Sequence, residues 1–449
     1  MKNSEIAARD LSVLWHPCTQ MKDHETIPLT PVAKGEGIYL YDFEGNRIID
    51  AISSWWVNLF GHCNPYINQK IKEQLESLEH VILAGFTHEG IIRLSERLVK
   101  LSPEGLTRCF YADNGSSAIE VALKMSYHFH RNRGDERPLF VSLSDSYHGE
   151  TLGALSIGDV ALYKETYEPI LIRSIQTPSP ADQSVEAALE VVDVFERLLQ
   201  ERGDEISALI VEPLVQGAGG MKMYHPIFLT ETKKLCERYG IHFIADEILV
   251  GFGRTGSMFA CEQASIAPDF LVLSKGLTGG YLPLSVVLTT ENVYGSFYCE
   301  YNPIRSFLHS HSYTGNALAC AAANATLDIF ESENVIEKNR QTIAFIADEL
   351  KRFKTMKHVK EVRQCGMIAV IELHGFDPSR RIGLQIHRAC MEQGVLIRPL
   401  GSVIYVMTPY VITLEELQTV FTAIEKAILS IDVQTGLGVI KHQNAATSL

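Results

Sequence analysis

The chain has 449 residues, of which 46% are hydrophobic and 21% charged, and a formal net charge of -14. That length exceeds one ordinary core and predicts a large domain with a smaller companion, while the acidic balance excludes a nucleic-acid or anionic-membrane surface, which needs clustered Lys and Arg. No apolar run approaches the roughly 18 residues of a membrane span, and the start MKNSEIAARDLSVLW carries no export pattern, so a cytoplasmic location is expected.

Nine cysteines are scattered without a C-x-x-C pair, and 16 histidines occur without an H-E-x-x-H. Reduced, mostly buried thiols and no metal site are the expectation.

From the N-terminus, Gly37-Ile38-Tyr39-Leu40-Tyr41-Asp42 ahead of Gly45-Asn46 reads as a small β-meander. The middle of the chain alternates. Apolar runs at 108–111, 139–141, 208–211, 242–245 and 270–273 are separated by stretches of helical spacing, the signature of a mainly parallel α/β sheet. One helix starts after Asn114-Gly115-Ser116, with Ile119, Ala122, Leu123, Ser126 and Tyr127 on its stripe and Ser117-x-x-Glu120 resembling a capping box. Another runs over 230–239 and stops at Gly240. After about residue 330 the pattern changes to a long polar helix, short strands near Val362 and over 368–373, and a helix over 381–393 ended by Gly394. Residues 1–65 and 331–449 are therefore expected to form a small domain together, with 66–330 as the large one.

Two of the apolar strands end in polar residues, Asp246 and Ser274-Lys275. In parallel sheets the ligand crevice lies beyond the carboxyl ends of the strands, so both Asp246 and Lys275 project there. An amine and a carboxylate so placed suit pyridoxal 5′-phosphate: the lysine forms a Schiff base and the aspartate keeps the pyridine nitrogen protonated. Taken alone the two residues are an ordinary ion pair. Their surroundings reverse that reading. Asp246-Glu247 follows an apolar strand; Gly251-Phe252-Gly253-Arg254-Thr255-Gly256 makes a glycine-rich turn; Asp269 opens the next strand; and Lys275 precedes Gly279-Gly280. This segment resembles the class-III aminotransferases.

The resemblance implies the α/β fold of type I pyridoxal-phosphate transferases, with a large domain on a mainly parallel sheet and a smaller α+β domain from both chain ends. It implies Lys275, Asp246 and Tyr147 as catalytic residues, with Tyr147 over the cofactor ring. Asp113-Asn114-Gly115-Ser116-Ser117 sits where a strand meets a helix, whose N-H groups and dipole suit a phosphate; the family places its phosphate loop there, with Gly115 and Ser116 as contacts. Gln216 is matched to the ring hydroxyl. Ser310-His311-Ser312-Tyr313-Thr314-Gly315-Asn316 matches a segment that reaches into the neighbouring subunit's site, which implies a homodimer, with His311 and Ser312 touching the cofactor and Ser310 the substrate.

Four further pieces resemble the branch of this family that works in biotin synthesis: Trp15-His16-Pro17-x-Thr19-x-Met21, Ser53-Ser54-Trp55-Trp56, the run from Gln216 to Met221, and Ile397-Arg398-Pro399-Leu400-Gly401. They imply a long keto-acid acceptor, 8-amino-7-oxononanoate, whose carboxylate Arg398 grips as a fork while Trp55 and Tyr147 line its alkyl chain; Arg254 is expected to add a second charge. S-adenosylmethionine is the expected amino donor and lysine the alternative. Cys18 falls in the donor region, where S-adenosylmethionine users often have Tyr, and Glu150 stands where they have Asp. The competing readings are another ω-aminotransferase and an inactive regulator that binds the cofactor.

Overall fold

Seven strands form the central sheet of the computed structural model, which describes residues 2–436. Across the sheet they run Leu106–Ala112, Ser285–Thr290, Phe270–Leu273, His242–Asp246, Ile206–Val211, Leu139–Leu143 and Ile175–Thr177. The five from Phe270–Leu273 to Ile175–Thr177 pair in parallel. Ser285–Thr290 runs antiparallel to both of its neighbours. Strands covered on both faces must be apolar throughout, and Phe270–Leu273, Ile206–Val211 and His242–Asp246 are buried at every position. Each apolar run expected from the sequence lies within one of these strands. Ser285–Thr290 and the three-residue Ile175–Thr177 complete the sheet.

The first long helix, Gly115–Asn132, is capped differently from the expected box. Asn114 is the N-cap and accepts from the Ser117 N-H at 3.0 Å. Glu120 instead accepts from the Gly153 N-H at 2.7 Å, so it caps the start of the helix Leu152–Ile157 rather than its own helix. Ile227–Tyr239 ends as its sequence predicts, on Gly240 at φ 63.

A second layer is built from both ends of the chain. Val32–Glu36, Tyr39–Asp42 and Arg47–Asp50 form an antiparallel meander, and Val395–Leu396 joins it in parallel, with Val395 beside Ile49 and Leu396 beside Asp50. Val359–Cys365, Ile368–Leu373 and Val403–Val406 make a separate three-stranded sheet. One apolar core takes Ile38 and Ile49 from the early part and Ile404, Leu417 and Phe421 from the late part. Residues beyond 436, the end of the expected C-terminal portion, lie outside the described residues. All nine cysteines are unpaired, but only four are buried; Cys18, Cys63 and Cys299 are exposed. Among the described residues no helix is long and apolar enough to cross a membrane.

Between Arg47–Asp50 and the central sheet the backbone makes an unusual turn. Ser53, Ser54, Trp55 and Trp56 all have positive φ, at 50, 46, 72 and 75°. For L-residues each costs about 1–2 kcal/mol, so the turn needs external support. Ser53 Oγ donates to the Met407 carbonyl at 2.8 Å, and Ser54 Oγ to Asp50 Oδ2 at 2.7 Å. Asp50 is fully buried, and its Oδ2 also lies 3.1 Å from His62 Nε2. Burial opposes its ionisation, yet the His62 ring and the Ser54 N-H and O-H hold its carboxyl below the usual range.

Candidate active site

A cavity of about 1250 Å³ opens where the two layers meet, beyond the carboxyl ends of the parallel strands. Lys275, Tyr147, Trp55, Trp56, Arg398, Cys18 and Glu150 all line it.

Lys275 follows the strand Phe270–Leu273 and begins a short 3-10 turn at φ 46. Among the described residues its Nζ makes no hydrogen bond or ion pair; it sits 4.8 Å from the centre of the Trp56 ring. Burial depresses its pKa, against the opposing pull of the Asp246 and Glu212 carboxylates. A lysine amine with no partner and a weakened hold on its proton is a poised nucleophile.

Asp246 ends the neighbouring strand, in register with Val272. Its Oδ2 lies 2.7 Å from His148 Nδ1, and its Oδ1 accepts from the Ile248 N-H at 3.1 Å. Both side chains are almost wholly buried, and His148 Nε2 has no hydrogen-bond partner among the described residues. Behind them Glu212 accepts from the N-H groups of Tyr147 and Gly217, at 2.9 and 2.8 Å. Burial pushes Glu212 up to about 7. The Tyr147 hydroxyl donates to Glu150 Oε1 at 2.9 Å, and burial together with that carboxylate raises the phenol's pKa.

At the start of Gly115–Asn132 the Ser117 N-H is capped, while the N-H groups of Gly115 and Ser116 have no acceptor among the described residues. Ser116 Oγ accepts from the Thr151 N-H at 3.0 Å and lies 2.8 Å from Thr151 Oγ1. Two free N-H groups at the positive end of an 18-residue helix form an anion cradle. The residues present therefore fit pyridoxal phosphate: a free buried amine, a fixed carboxylate on the adjacent strand and two unpaired N-H groups at a helix start.

On the other wall Arg398 stacks its guanidinium over the Trp55 ring, and its Nη2 donates to the Cys18 carbonyl at 3.0 Å. Trp55 is 39% exposed and Trp56 only 4%, although both line the cavity.

Other expected residues lie elsewhere. Arg254 is not at the cavity: it is 1% exposed and donates to the carbonyls of Thr408 at 2.7 Å and Asn58 at 3.1 Å. Its glycine-rich turn folds inward, so the guanidinium bridges the two layers instead of facing substrate. Gln216 is also withdrawn, with its amide donating to the Ser144 carbonyl at 2.9 Å and accepting from Ser179. Ser310, His311 and Ser312 are outside the cavity within the single chain; the Ser312 carbonyl lies 2.8 Å from His80 Nε2, and His311 Nδ1 is buried without a partner among the described residues.

Residues 20–428 match the family described as aminotransferase class-III. The chain belongs to that family. Its curated relatives include the adenosylmethionine-8-amino-7-oxononanoate aminotransferase of Helicobacter pylori, 53% identical over 92% of this chain and 95% of that one. The crystal structure of the Methanocaldococcus jannaschii protein of the same name superposes with a TM-score of 0.92 at 36% identity, covering 96% of this chain and 99% of that one. An amine transaminase from an uncultivated Pseudomonas species, solved in its PLP-bound form, gives 0.88 at 29% identity over 93% and 98%. The class-III aminotransferases use pyridoxal phosphate, and the fold is the type I fold expected.

His148, Glu212 and Tyr163 were not selected from the sequence for this site. His148 had a signal, as the neighbour of Tyr147 after a strand. Glu212, which ends up buried behind Asp246, had only its place just past a strand end.

Proposed function

We propose that this aminotransferase moves the amino group of S-adenosylmethionine to 8-amino-7-oxononanoate, giving 7,8-diaminononanoate for biotin synthesis. The observation that carries the acceptor is Arg398 laid over Trp55 in the same cavity that Lys275 lines, a carboxylate fork on an apolar ring. The names of the relatives support the donor.

When bound, pyridoxal phosphate supplies an electron sink for the pair released as the donor's α-C-H bond breaks. Lys275 Nζ is the amine that would attach it, and the N-H groups of Gly115 and Ser116 would hold its phosphate. Asp246, kept in place by His148, would hold a proton on the ring nitrogen. Lys275 Nζ, when not holding the cofactor, would take the donor's α proton and pass it on within the same half-reaction, and would move a proton in the opposite sense onto the acceptor carbon in the second. Tyr147 walls the site beside Glu150, and the buried Trp56 ring shields the amine from water.

The reading includes a cytoplasmic homodimer. Between 298 and 313 the chain exposes Tyr298, Tyr301, Ile304 and Leu308 at 76 to 94%, a patch of the kind that subunit contacts cover, and it carries Ser310, His311 and Ser312. Light scattering on the purified protein should give twice the chain mass.

The test is a side-by-side assay of 8-amino-7-oxononanoate with S-adenosylmethionine and with lysine. Diamine formation dependent on S-adenosylmethionine is expected. Product with neither donor, alongside activity on pyruvate and a simple amine, would return the chain to the general ω-aminotransferases.

A further inference from the structure

Tyr163 lies on the short helix Ala161–Lys164, in a stretch of sequence with no periodic signal. The helix is pinned by its last residue: Lys164 Nζ donates to the carbonyls of Gly158 at 2.7 Å and Ser156 at 3.1 Å. The half-buried Tyr163 ring lines the cavity and packs edge to face on Tyr147, with ring centres 5.6 Å apart and planes at 62°. Its hydroxyl is 3.7 Å from Cys18 Sγ. Cys18 in turn receives the Arg398 hydrogen bond through its carbonyl.

One wall of the cavity therefore runs from Tyr147 through Tyr163 and Cys18 to Arg398. A donor that carries a purine needs a flat π surface to lie against. Cys18 has none, Trp55 is already covered by Arg398, and Trp56 is buried beneath Lys275. The Tyr147 hydroxyl is bonded to Glu150, and the Tyr163 ring packs against Tyr147. Tyr405 is 1% exposed and packs edge to face on Trp56, and Phe376 packs against His358 and Arg380. Of the tyrosine, tryptophan and phenylalanine rings that line the cavity, that leaves Tyr163, held by an anchored helix. We infer that Tyr163 determines donor specificity by stacking against the base of an adenosyl-bearing donor. The inference rests on the donor proposed above.

The experiment compares holoenzyme carrying Tyr163→Leu and Tyr163→Phe with the parent. Initial rates are measured with S-adenosylmethionine and with 8-amino-7-oxononanoate varied in turn. Calorimetry gives the affinity for 5′-methylthioadenosine, which has the base but no amino group to transfer. Loss of one base stack should raise KM for S-adenosylmethionine and Kd for the nucleoside roughly ten- to a hundredfold in Tyr163→Leu. KM for the keto acid should be unchanged, and Tyr163→Phe should resemble the parent. Nucleoside binding by folded Tyr163→Leu at parental affinity overturns the inference. Should that variant not fold, Tyr163→Met supplies the ring-free comparison. If the parent uses lysine and ignores S-adenosylmethionine, the donor reading fails and this role with it; if parent and variant use S-adenosylmethionine equally well, only the role of Tyr163 fails.

Discussion

The guanidinium of Arg398 lies 4.8 Å from the centre of the Trp55 ring. Stacking fixes the plane of the fork, and the hydrogen bond to the Cys18 carbonyl uses one nitrogen, so the remaining N-H groups are oriented before any substrate arrives. A lysine cannot reproduce a planar, stacked, two-pronged donor. Arg398→Lys should raise KM for the keto acid about tenfold or more, the scale of a lost charged hydrogen bond, with a smaller change in kcat. Steady-state kinetics with the acceptor varied at fixed donor checks this; an unchanged KM would show that the carboxylate is held elsewhere.

Lys275 gives a pH prediction for the cofactor-free protein. Its folded pKa is depressed below 10.5 by burial. Between the folded and unfolded values the unfolded chain binds more protons, so this group makes stability rise with pH through that window. Below the window the buried ammonium carries its full penalty. Lys275→Met removes the penalty, and it should melt above the cofactor-free parent at neutral pH, with the gap closing as pH approaches 10.5. It should also be inactive. Thermal melts across that range test the first statement, and measurable transamination would refute the second.

The left-handed turn at Ser53 to Trp56 can be probed by separating strain from support. Ser54→Ala keeps the positive φ and loses the bond to Asp50, so it should destabilise by about 1 kcal/mol. Ser54→Gly loses the same bond but relieves strain of about 1–2 kcal/mol, and should be close to neutral. Denaturant midpoints of the two variants give the comparison. Equal destabilisation by both would mean that the turn stores no strain.

Gly149 has φ +118 and packs directly on Ser116, leaving no room for a Cβ. Gly149→Ala should cost about 1–3 kcal/mol in stability. It should also weaken retention of pyridoxal phosphate on dialysis, because Ser116 is displaced from the start of the helix. Retention equal to the parent would mean that the cradle tolerates the shift.

The central sheet was legible because strands covered on both faces leave continuous apolar runs, and Asp246 and Lys275 were legible because polar residues end those runs. The antiparallel Ser285–Thr290 carries its own Val286-Val287-Leu288 run, but strand direction leaves no local mark. Contacts across long separations were not legible: His148 meets Asp246 from 98 residues away, and Tyr163 meets Cys18 from 145. The turn at Ser53 to Trp56 contains no glycine to announce its positive φ; it is held by Met407 and by Asp50. Arg254 was misplaced for a related reason. Its neighbours in sequence suggested an open turn, whereas the carbonyls that bury it come from Asn58 and Thr408.

Because Ser285–Thr290 runs back beside Phe270–Leu273, the segment bearing Lys275 needs no crossover helix. It is a short loop gripped at its neck, where Ser274 Oγ donates to the Leu284 carbonyl at 2.8 Å, and closed again inside by Thr278 Oγ1 on the Leu282 carbonyl at 2.7 Å. The backbone under the lysine is thus closed at its neck beside the sheet and again within the loop. Whatever travel Nζ makes between attachment and proton transfer must come from rotation about its own four methylenes, like a hand working from a fixed wrist.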